Sequence, residues 1–204
     1  MTVLSSLGSF AVVVGLLTLT PGMDTALILR TAAVGAPRRA WGVVLGIQSG
    51  TLVWGVLTSA GITALLTASR LAYDVVRWAG ACYLIWMGLS MLWSARRARI
   101  EPLTGAEAPG WGRGFLTNLL NPKMGAFYVA LLPQFIPPGA PTFAFGVLLA
   151  GVHIVLGTAW SAVLVGLAHR LRAVLRRPAA RRVMDRITGT VITGFGVRLA
   201  LSGN

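Results

Sequence analysis

The stretch Leu19-Thr-Pro-Gly-Met-Asp-Thr25 decides how this chain folds. It lies inside an apolar run over 6–29, where a proline, a glycine and an aspartate are poor choices for an unbroken membrane helix. Proline removes a backbone donor and clashes with the preceding turn, and glycine loosens the chain further. An aspartate placed in hydrocarbon costs roughly 3 kcal/mol. The stretch therefore predicts a broken helix that carries a functional carboxylate at the break.

A second break, Asn121-Pro-Lys123, interrupts the apolar run over 114–136. At a rise of about 1.5 Å per residue, Pro21 lies ~22 Å from the outer end of its run, and Pro122 lies ~13 Å from the inner end of its own. In a span of ~36 Å the two breaks reach nearly the same depth, just inside the midplane. We therefore expect the two breaks to face one another and to form a binding site.

The composition indicates an integral membrane protein. The chain has 204 residues, of which 55% are hydrophobic and only 11% charged, and its mean hydropathy is +0.75. A soluble domain carries about 25% charged residues, and long apolar runs are typical of membrane spans. The predicted spans are the apolar segments 6–29, 41–66, 71–93, 114–136, 142–168 and 187–203. The last segment is short and contains Arg198, so five spans with an interfacial tail is an alternative.

The charges predict the orientation of the chain. A net charge of +13 in a soluble protein would indicate nucleic acid, but here the arginines cluster in short loops, and we expect no nucleic-acid partner. The loops after the first, third and fifth segments are basic, whereas those after the second and fourth are nearly balanced or uncharged. Basic loops face the cytoplasm, so both termini are predicted outside.

The irregular stretch 94–113, rich in proline and glycine, is predicted to be a cytoplasmic linker within one transporter domain, 1–204. It divides the chain into halves 1–93 and 114–204, each with three spans. An odd number of spans inserts the second half upside down relative to the first, as in inverted-repeat transporters. The predicted fold class is therefore an all-α polytopic membrane protein, with six transmembrane helices in two inverted three-helix halves.

Asp24 is the main candidate for chemistry. It has three interpretations: a proton-coupling or amine-binding carboxylate in a cavity, a structural ion pair with Lys123, or an interfacial residue near Arg30. Intramembrane acids favour the first. Lys123 is expected to hold a substrate carboxylate or to neutralise Asp24, and snorkelling toward the cytoplasm is the alternative.

The broken helices also offer polar backbone. A half-helix that starts near Pro21 or Pro122 presents N–H groups to an anion, and the carbonyls before each break suit an ammonium group. Together these groups would bind a zwitterion. Thr18, Thr20, Thr25, Asn118 and Asn121 either assist or satisfy the broken backbone locally. The predicted site residues are Pro21, Gly22, Asp24, Thr25, Gln48, Asn118, Asn121, Pro122 and Lys123.

Two features concern the second segment. Gln48 lies midway along it and is expected either to line the cavity or to bridge two helices. Around it runs the glycine stripe Gly42-x3-Gly46-x3-Gly50, which predicts close packing against another helix.

The sequence contains no sign of an enzyme. A single cysteine, Cys82, excludes an internal disulfide and a paired-cysteine redox site, and His153 stands alone on its segment, where a packing role is favoured. No motif for phosphate binding, nucleophilic catalysis or zinc is present. We therefore expect no enzymatic activity, no cofactor and no metal.

Four motifs occur together in one order along the chain. They are Leu19-Thr-Pro-Gly-Met-Asp-Thr25, Leu52-Val-Trp54 after the glycine stripe, Ala79-Gly-Ala-Cys-Tyr-Leu-Ile-Trp-Met-Gly88, and Gly114-Phe-Leu-Thr-Asn-Leu-Leu-Asn-Pro-Lys123 followed by Leu132-Pro-Gln-Phe135. With them the chain resembles the LysE/RhtB family of amino-acid exporters. The resemblance implies a small exporter of amino acids or related metabolites in the bacterial inner membrane, driven by an ion gradient and dimeric. The Pro-Gly-Pro motif of the family is incomplete, because Met23 fills the third place, whereas Asp24 fits the acidic position that follows.

The resulting hypothesis is a secondary active, proton-coupled exporter of a small zwitterionic or cationic amino-acid-like solute. Its partners are that solute, the proton and the lipid bilayer, with a homodimer as the assembly. The alternatives are a transporter or channel for a non-amino-acid solute or a metal ion, and a membrane scaffold without transport. A redox carrier is disfavoured by the single cysteine.

Overall fold

The computed structural model describes residues 2–33, 37–68, 70–94, 110–168 and 178–201, and within these ranges every regular element is helical. This confirms the all-α prediction for the described residues. In chain order the helices are α1 (Val3–Leu19), α2 (Met23–Ala33), α3 (Pro37–Ala68), α4 (Arg70–Ser94), α5 (Trp111–Leu119), α6 (Pro122–Ala126), α7 (Thr142–Gly166) and α8 (Pro178–Leu201). Between α6 and α7 lie a π-helical turn (Phe127–Leu131) and a 3-10 turn (Leu132–Phe135).

The first five apolar segments predicted from the sequence agree with these helices to within a few residues at the ends that are described. The first segment is broken into α1 and α2, which are bent by 56°. The fourth is broken between α5 and α6, at Leu120 and Asn121. The predictions made for residues 95–109, 169–177 and 202–204 lie outside the described residues.

The last helix begins earlier than its apolar segment. α8 starts at Pro178 rather than at 187, so the predicted loop arginines Arg181, Arg182 and Arg186 lie on a helix. Proline fits the first helical turn, because the N–H that it lacks has no partner there. Alanine and arginine are strong helix formers, and they carry the helix back to that proline.

Two helices of the described ranges, over Arg38–Ala64 and Thr142–Gly166, are long and apolar enough to cross a membrane. The bent pair α1 and α2 makes a third if it is one span. The arrangement of six spans in two halves therefore stays a prediction. Large apolar side chains that suit lipid tails are exposed on several helices, including Val12 on α1, Leu57 on α3 and Val155 on α7.

An aromatic cluster holds the two broken segments together. The ring of Phe10 on α1 lies 5.8 Å from the ring of Phe127 and 5.4 Å from that of Phe135, measured between centroids. The hydroxyl of Ser6 donates a hydrogen bond to the carbonyl of Phe135. All four residues are almost completely buried. These contacts seat α1 against the chain that follows the second break.

The glycine stripe of α3 packs against α5, as predicted. A Cβ added to Gly46 would collide with backbone atoms of Trp111 and Phe115, so only glycine allows the two helices to approach this closely. A Cβ added to Gly50 would lie 2.7 Å from Oδ1 of Asn118. The stripe therefore brings α5 close to α3 and makes room for the side chain of Asn118 at the second break. α3 also packs along α7, whereas α4 packs mainly against α8.

Candidate functional site

The first break leaves a carbonyl without its helical partner. In an α-helix the carbonyl of Leu17 would accept a hydrogen bond from the N–H of residue 21, but Pro21 has no N–H. The ammonium group of Lys123 takes this place: its Nζ donates to the carbonyl of Leu17 at 2.8 Å and to that of Thr20 at 3.2 Å. A positive charge is also favourable at the C-terminal end of a helix. Lys123 thus caps α1 from another part of the chain.

The second break positions Lys123 for this contact. Asn121 is the N-cap of α6, and its side-chain Oδ1 accepts a hydrogen bond from the backbone N–H of Lys123 at 3.0 Å. Pro122 occupies the first helical position, where its fixed φ suits a helix start. Asparagine followed by proline therefore starts a new helix at this point and turns the lysine side chain toward α1.

Asp24 lies in the first turn of α2, where the helix dipole favours a negative charge. Its Oδ2 accepts hydrogen bonds from Nδ2 of Asn118 at 2.9 Å and from Nδ2 of Asn121 at 3.5 Å. Its Oδ1 is buried and has no hydrogen-bond partner among the described residues. The bonds shown for Asp24 come from amides and those shown for Lys123 go to carbonyls, so the two charges have different direct partners.

Asn118 is held in place by α3. Its side chain is only 1% exposed, its Oδ1 lies 3.5 Å from the hydroxyl of Thr51, and its backbone carbonyl accepts from Nε1 of Trp54 at 3.4 Å. With Oδ1 engaged by a donor, the amide nitrogen is the end that points to Asp24. The amide orientation is therefore fixed by its neighbours.

The two breaks meet at a cavity of about 60 Å³. Seven of the nine predicted site residues line it, namely Gly22, Asp24, Thr25, Gln48, Asn118, Asn121 and Lys123. The remaining two, Pro21 and Pro122, do not line the cavity but shape the breaks that surround it. The cavity wall also includes Leu17, Thr18, Thr20, Ile28, Ile47, Thr51, Met124, His153, Gly157, Trp160, Ser161 and Leu164.

The threonines before the first break satisfy backbone carbonyls of their own helix. Thr18 donates to the carbonyl of Val14 at 2.7 Å, and Thr20 donates to that of Leu16 at 2.8 Å. This agrees with the local role that was one of their two interpretations. Their hydroxyl protons are used, so each offers a solute only an acceptor.

One wall of the cavity was missed by the sequence analysis. It is formed by α7, through His153, Gly157, Trp160 and Ser161. These residues recur at spacings of three and four, which places them on one face of a helix, and that periodicity is the signal that could have found them. Gly157 also gives Gln48 its space, since a Cβ there would lie 3.1 Å from Nε2 of Gln48.

The polar groups of α7 differ in how they are satisfied. Nδ1 of His153 lies 3.1 Å from the hydroxyl of Tyr128, with the two rings stacked, which agrees with the packing role predicted for this histidine. The hydroxyl of Ser161 donates to the carbonyl of Gly157 at 2.6 Å. Nε1 of Trp160 is buried and has no partner among the described residues. The indole N–H therefore remains available as a donor.

The arrangement is suited to binding. Over the described ranges no group of three or more His, Cys, Asp or Glu residues is placed to hold a metal ion. The residues around the cavity supply a carboxylate, amide groups and an indole N–H, beside an ammonium that already holds two carbonyls. These groups can bind a small polar solute that has a positively charged group.

Comparisons with known proteins agree on one class. The family model described as LysE type translocator matches residues 16–203. The chain is 31% identical over 187 residues to the homoserine/homoserine lactone efflux protein of Salmonella typhimurium, covering 91% of each chain. It is 28% identical over 187 residues to the leucine efflux protein of Klebsiella pneumoniae, covering 89% of this chain and 88% of the relative. An uncharacterized membrane protein of Vibrio cholerae is 32% identical over 189 residues, covering 89% and 90%. No solved structure matches the chain.

Proposed function

The chain belongs to the LysE type translocator family, and we propose that it is a secondary active exporter of amino acids or related small solutes. The observation that carries the proposal is the cavity at which the two broken segments meet, because Asp24 lines it and one of its buried carboxylate oxygens has no hydrogen-bond partner among the described residues. The names of two relatives, an efflux protein for homoserine and its lactone and one for leucine, support an amino-acid-like solute.

The size of the cavity supports a small head group as the part that is recognised. About 10–15 Å³ of such space holds one water, so about 60 Å³ holds roughly four to six non-hydrogen atoms. The ammonium, α-carbon and carboxylate of an amino acid comprise about five such atoms. We infer that the cavity binds this shared part, and that a larger side chain requires it to open further.

Asp24 is the residue that we assign to proton coupling. One of its oxygens is held by two amides, and the other is free to bind either a proton or the ammonium of the solute. Protonation neutralises the carboxylate and releases the ammonium, which makes the two ligands mutually exclusive. Protons that enter from outside are thereby exchanged for solute that leaves the cell.

Of the two roles expected for Lys123, to hold a substrate carboxylate or to neutralise Asp24, the mechanism does not use the first. Because its ammonium bonds the carbonyls of Leu17 and Thr20, we propose that it ties the two breaks together and does not bind the carboxylate of the solute. The carbonyls of Leu17 and Thr20 before the first break, which were expected to suit a solute ammonium, are occupied by this contact. Asp24 is left as the cation-binding group of the cavity.

The remaining features of the proposal concern the membrane. We propose six spans in two inverted halves, 1–93 and 114–204, joined by a cytoplasmic linker over 94–113 in a single domain, 1–204. Both termini face outward, the bilayer is the bacterial inner membrane, and the assembly is a homodimer. The apolar helices and the alternation of basic and non-basic loops support this layout.

The test is efflux from proteoliposomes loaded with a panel of labelled amino acids, with and without an acidic outside medium. We expect saturable efflux of a few amino acids that is accelerated by the pH gradient. Asp24→Asn should abolish the acceleration of efflux by the pH gradient while the protein stays folded. Glu107→Gln is the control: it removes one acidic charge in the predicted linker and should leave the acceleration unchanged.

Three outcomes separate the parts of the proposal. Efflux that never saturates and needs no gradient would identify a passive channel. Normal gradient dependence in Asp24→Asn would exclude Asp24 as the proton carrier but leave the exporter standing. If the wild-type protein exports no amino acid of the panel, although its orientation in the liposomes has been verified, an amino-acid exporter is refuted.

A further inference from the structure

Two residues that line the cavity each carry a buried polar atom without a hydrogen-bond partner among the described residues: Oδ1 of Asp24 and Nε1 of Trp160. Leaving a buried donor or acceptor unsatisfied costs about 1–3 kcal/mol, and native structures keep few such groups without a reason. One of these atoms only accepts hydrogen bonds and the other only donates them. Two complementary atoms on residues that line one small cavity indicate a ligand that carries both a donor and an acceptor.

The indole of Trp160 is held in place by packing. Its ring packs against an apolar cluster built by α2, α3 and α7, which includes Leu27, Ile28, Val44 and Leu164. Asp24 lies on α2, and α2 packs directly against α7, which carries Trp160. The donor and the acceptor therefore belong to two neighbouring helices that share one packed interface.

We propose that Trp160 is a substrate-recognising residue whose indole N–H donates a hydrogen bond to an oxygen of the solute whose ammonium is bound by Asp24. The inference rests on the proposed function and adds to it the class of solute. Lys123, the cation among the residues that line the cavity, already holds the carbonyls of Leu17 and Thr20. The solute oxygen is thus recognised by a neutral donor.

A neutral donor can bond uncharged oxygen as well as a carboxylate. An indole N–H donates to a carbonyl, an ester or a hydroxyl oxygen, and its bond to an ionised carboxylate is stronger by up to about twofold. The site therefore requires a cationic amine with an acceptor oxygen close to it, and it does not require a free carboxylate. Amides and esters of a transported amino acid are substrates on this basis.

Trp160→Phe tests the inference, because it removes the N–H and keeps an aromatic ring. Efflux is measured in proteoliposomes for a transported amino acid, for its amide and methyl ester, and for the corresponding amine without oxygen. We expect KM to rise roughly 3- to 10-fold for the three oxygen-bearing solutes, as befits the loss of one hydrogen bond. KM for the plain amine should stay within about twofold of its wild-type value.

Trp111→Phe is the matched control. It removes an indole N–H that bonds the hydroxyl of Ser49 at 3.1 Å, at an exposed position outside the cavity. It should leave every KM unchanged. Without solute, Trp160→Phe should lose only the stability that the larger ring contributes by packing, because its N–H has no partner to lose among the described residues. The stabilisation that the amino acid confers on the detergent-solubilised protein should shrink.

The results of this experiment distinguish a failure of the Trp160 inference from a failure of the proposed function. Equal loss for the plain amine and for the oxygen-bearing solutes would show that Trp160 only packs, and an unchanged KM for all of them would refute the hydrogen bond. Rejection of the amide and the ester by the wild type would overturn the solute class. If the wild type neither exports nor is stabilised by any member of the series, the proposed function itself fails.

Discussion

Replacing Lys123 by methionine tests whether its ammonium joins the two breaks. Methionine keeps an unbranched chain of similar length and removes the charge and both hydrogen bonds. A hydrogen bond from a charged group contributes about 1.5–3 kcal/mol, and the contact with Leu17, at 2.8 Å, is the shorter of the two. The carbonyl of Leu17 is then left unpaired, because Pro21 offers no N–H. We estimate a loss of about 2–4 kcal/mol in the free energy of unfolding.

The loss is measured as the shift in the thermal unfolding midpoint of the detergent-solubilised protein. For a chain of this size 1 kcal/mol corresponds to about 2–4 °C, so Lys123→Met should lower the midpoint by roughly 5–15 °C. Arg186→Met, which removes an exposed cation from α8, is the control and should shift it by no more than about 2 °C.

A second substitution isolates the cause. Pro21→Ala supplies an N–H that reaches the carbonyl of Leu17 once the helix continues through Thr20, which is extended in the wild type, and the carbonyl then depends less on Lys123. In that background Lys123→Met should cost at least about 1 kcal/mol less than it does in the wild type, a coupling that a double-mutant cycle measures. Strictly additive losses would refute the reasoning, as would a Lys123→Met protein as stable as the wild type.

Two further predictions concern the elements that build the site. Gly46→Ala should lower the free energy of unfolding by about 1–3 kcal/mol, since its Cβ meets the backbone of α5, whereas Gly61→Ala, which has open space, should be neutral or stabilising in the same thermal assay. Equal effects of the two would contradict the close approach of α3 and α5. Asn121→Ala should cost about 1 kcal/mol through the lost N-cap, and Asn121→Ser should restore most of it because serine also caps. A serine variant as unstable as the alanine variant would show that the contact with Asp24, and not the cap, is what matters.

The breaks could be predicted from the sequence because their chemistry is local. Pro21 and Pro122 remove backbone donors wherever they stand, and Asn121 caps whatever helix follows it. The glycine stripe predicted close packing for the same reason, because glycines spaced along one face of an apolar helix let another helix approach closely. The structural effect of such local features follows from the residue type alone.

The partners of the charged groups could not be predicted in this way. Lys123 holds carbonyls more than a hundred positions away, and the folded structure alone determines which carbonyls lie within its reach. Trp160 was missed because a tryptophan in an apolar helix normally indicates packing or an interface, and the lack of a partner for its N–H emerges only once its surroundings are assembled. The early start of α8 escaped prediction because the arginines that precede its apolar part look like a loop in a hydropathy profile.

The contact between Lys123 and the end of α1 also restricts how the two broken segments can move. The lysine is one of several links between them, beside the bonds from Asn118 and Asn121 to Asp24 and the packing of Phe10 on the chain after the second break. The segments therefore cannot slide past each other without breaking hydrogen bonds on both sides of the cavity. We expect any opening of the cavity to keep these contacts and to move the helix ends that lie farthest from Asp24.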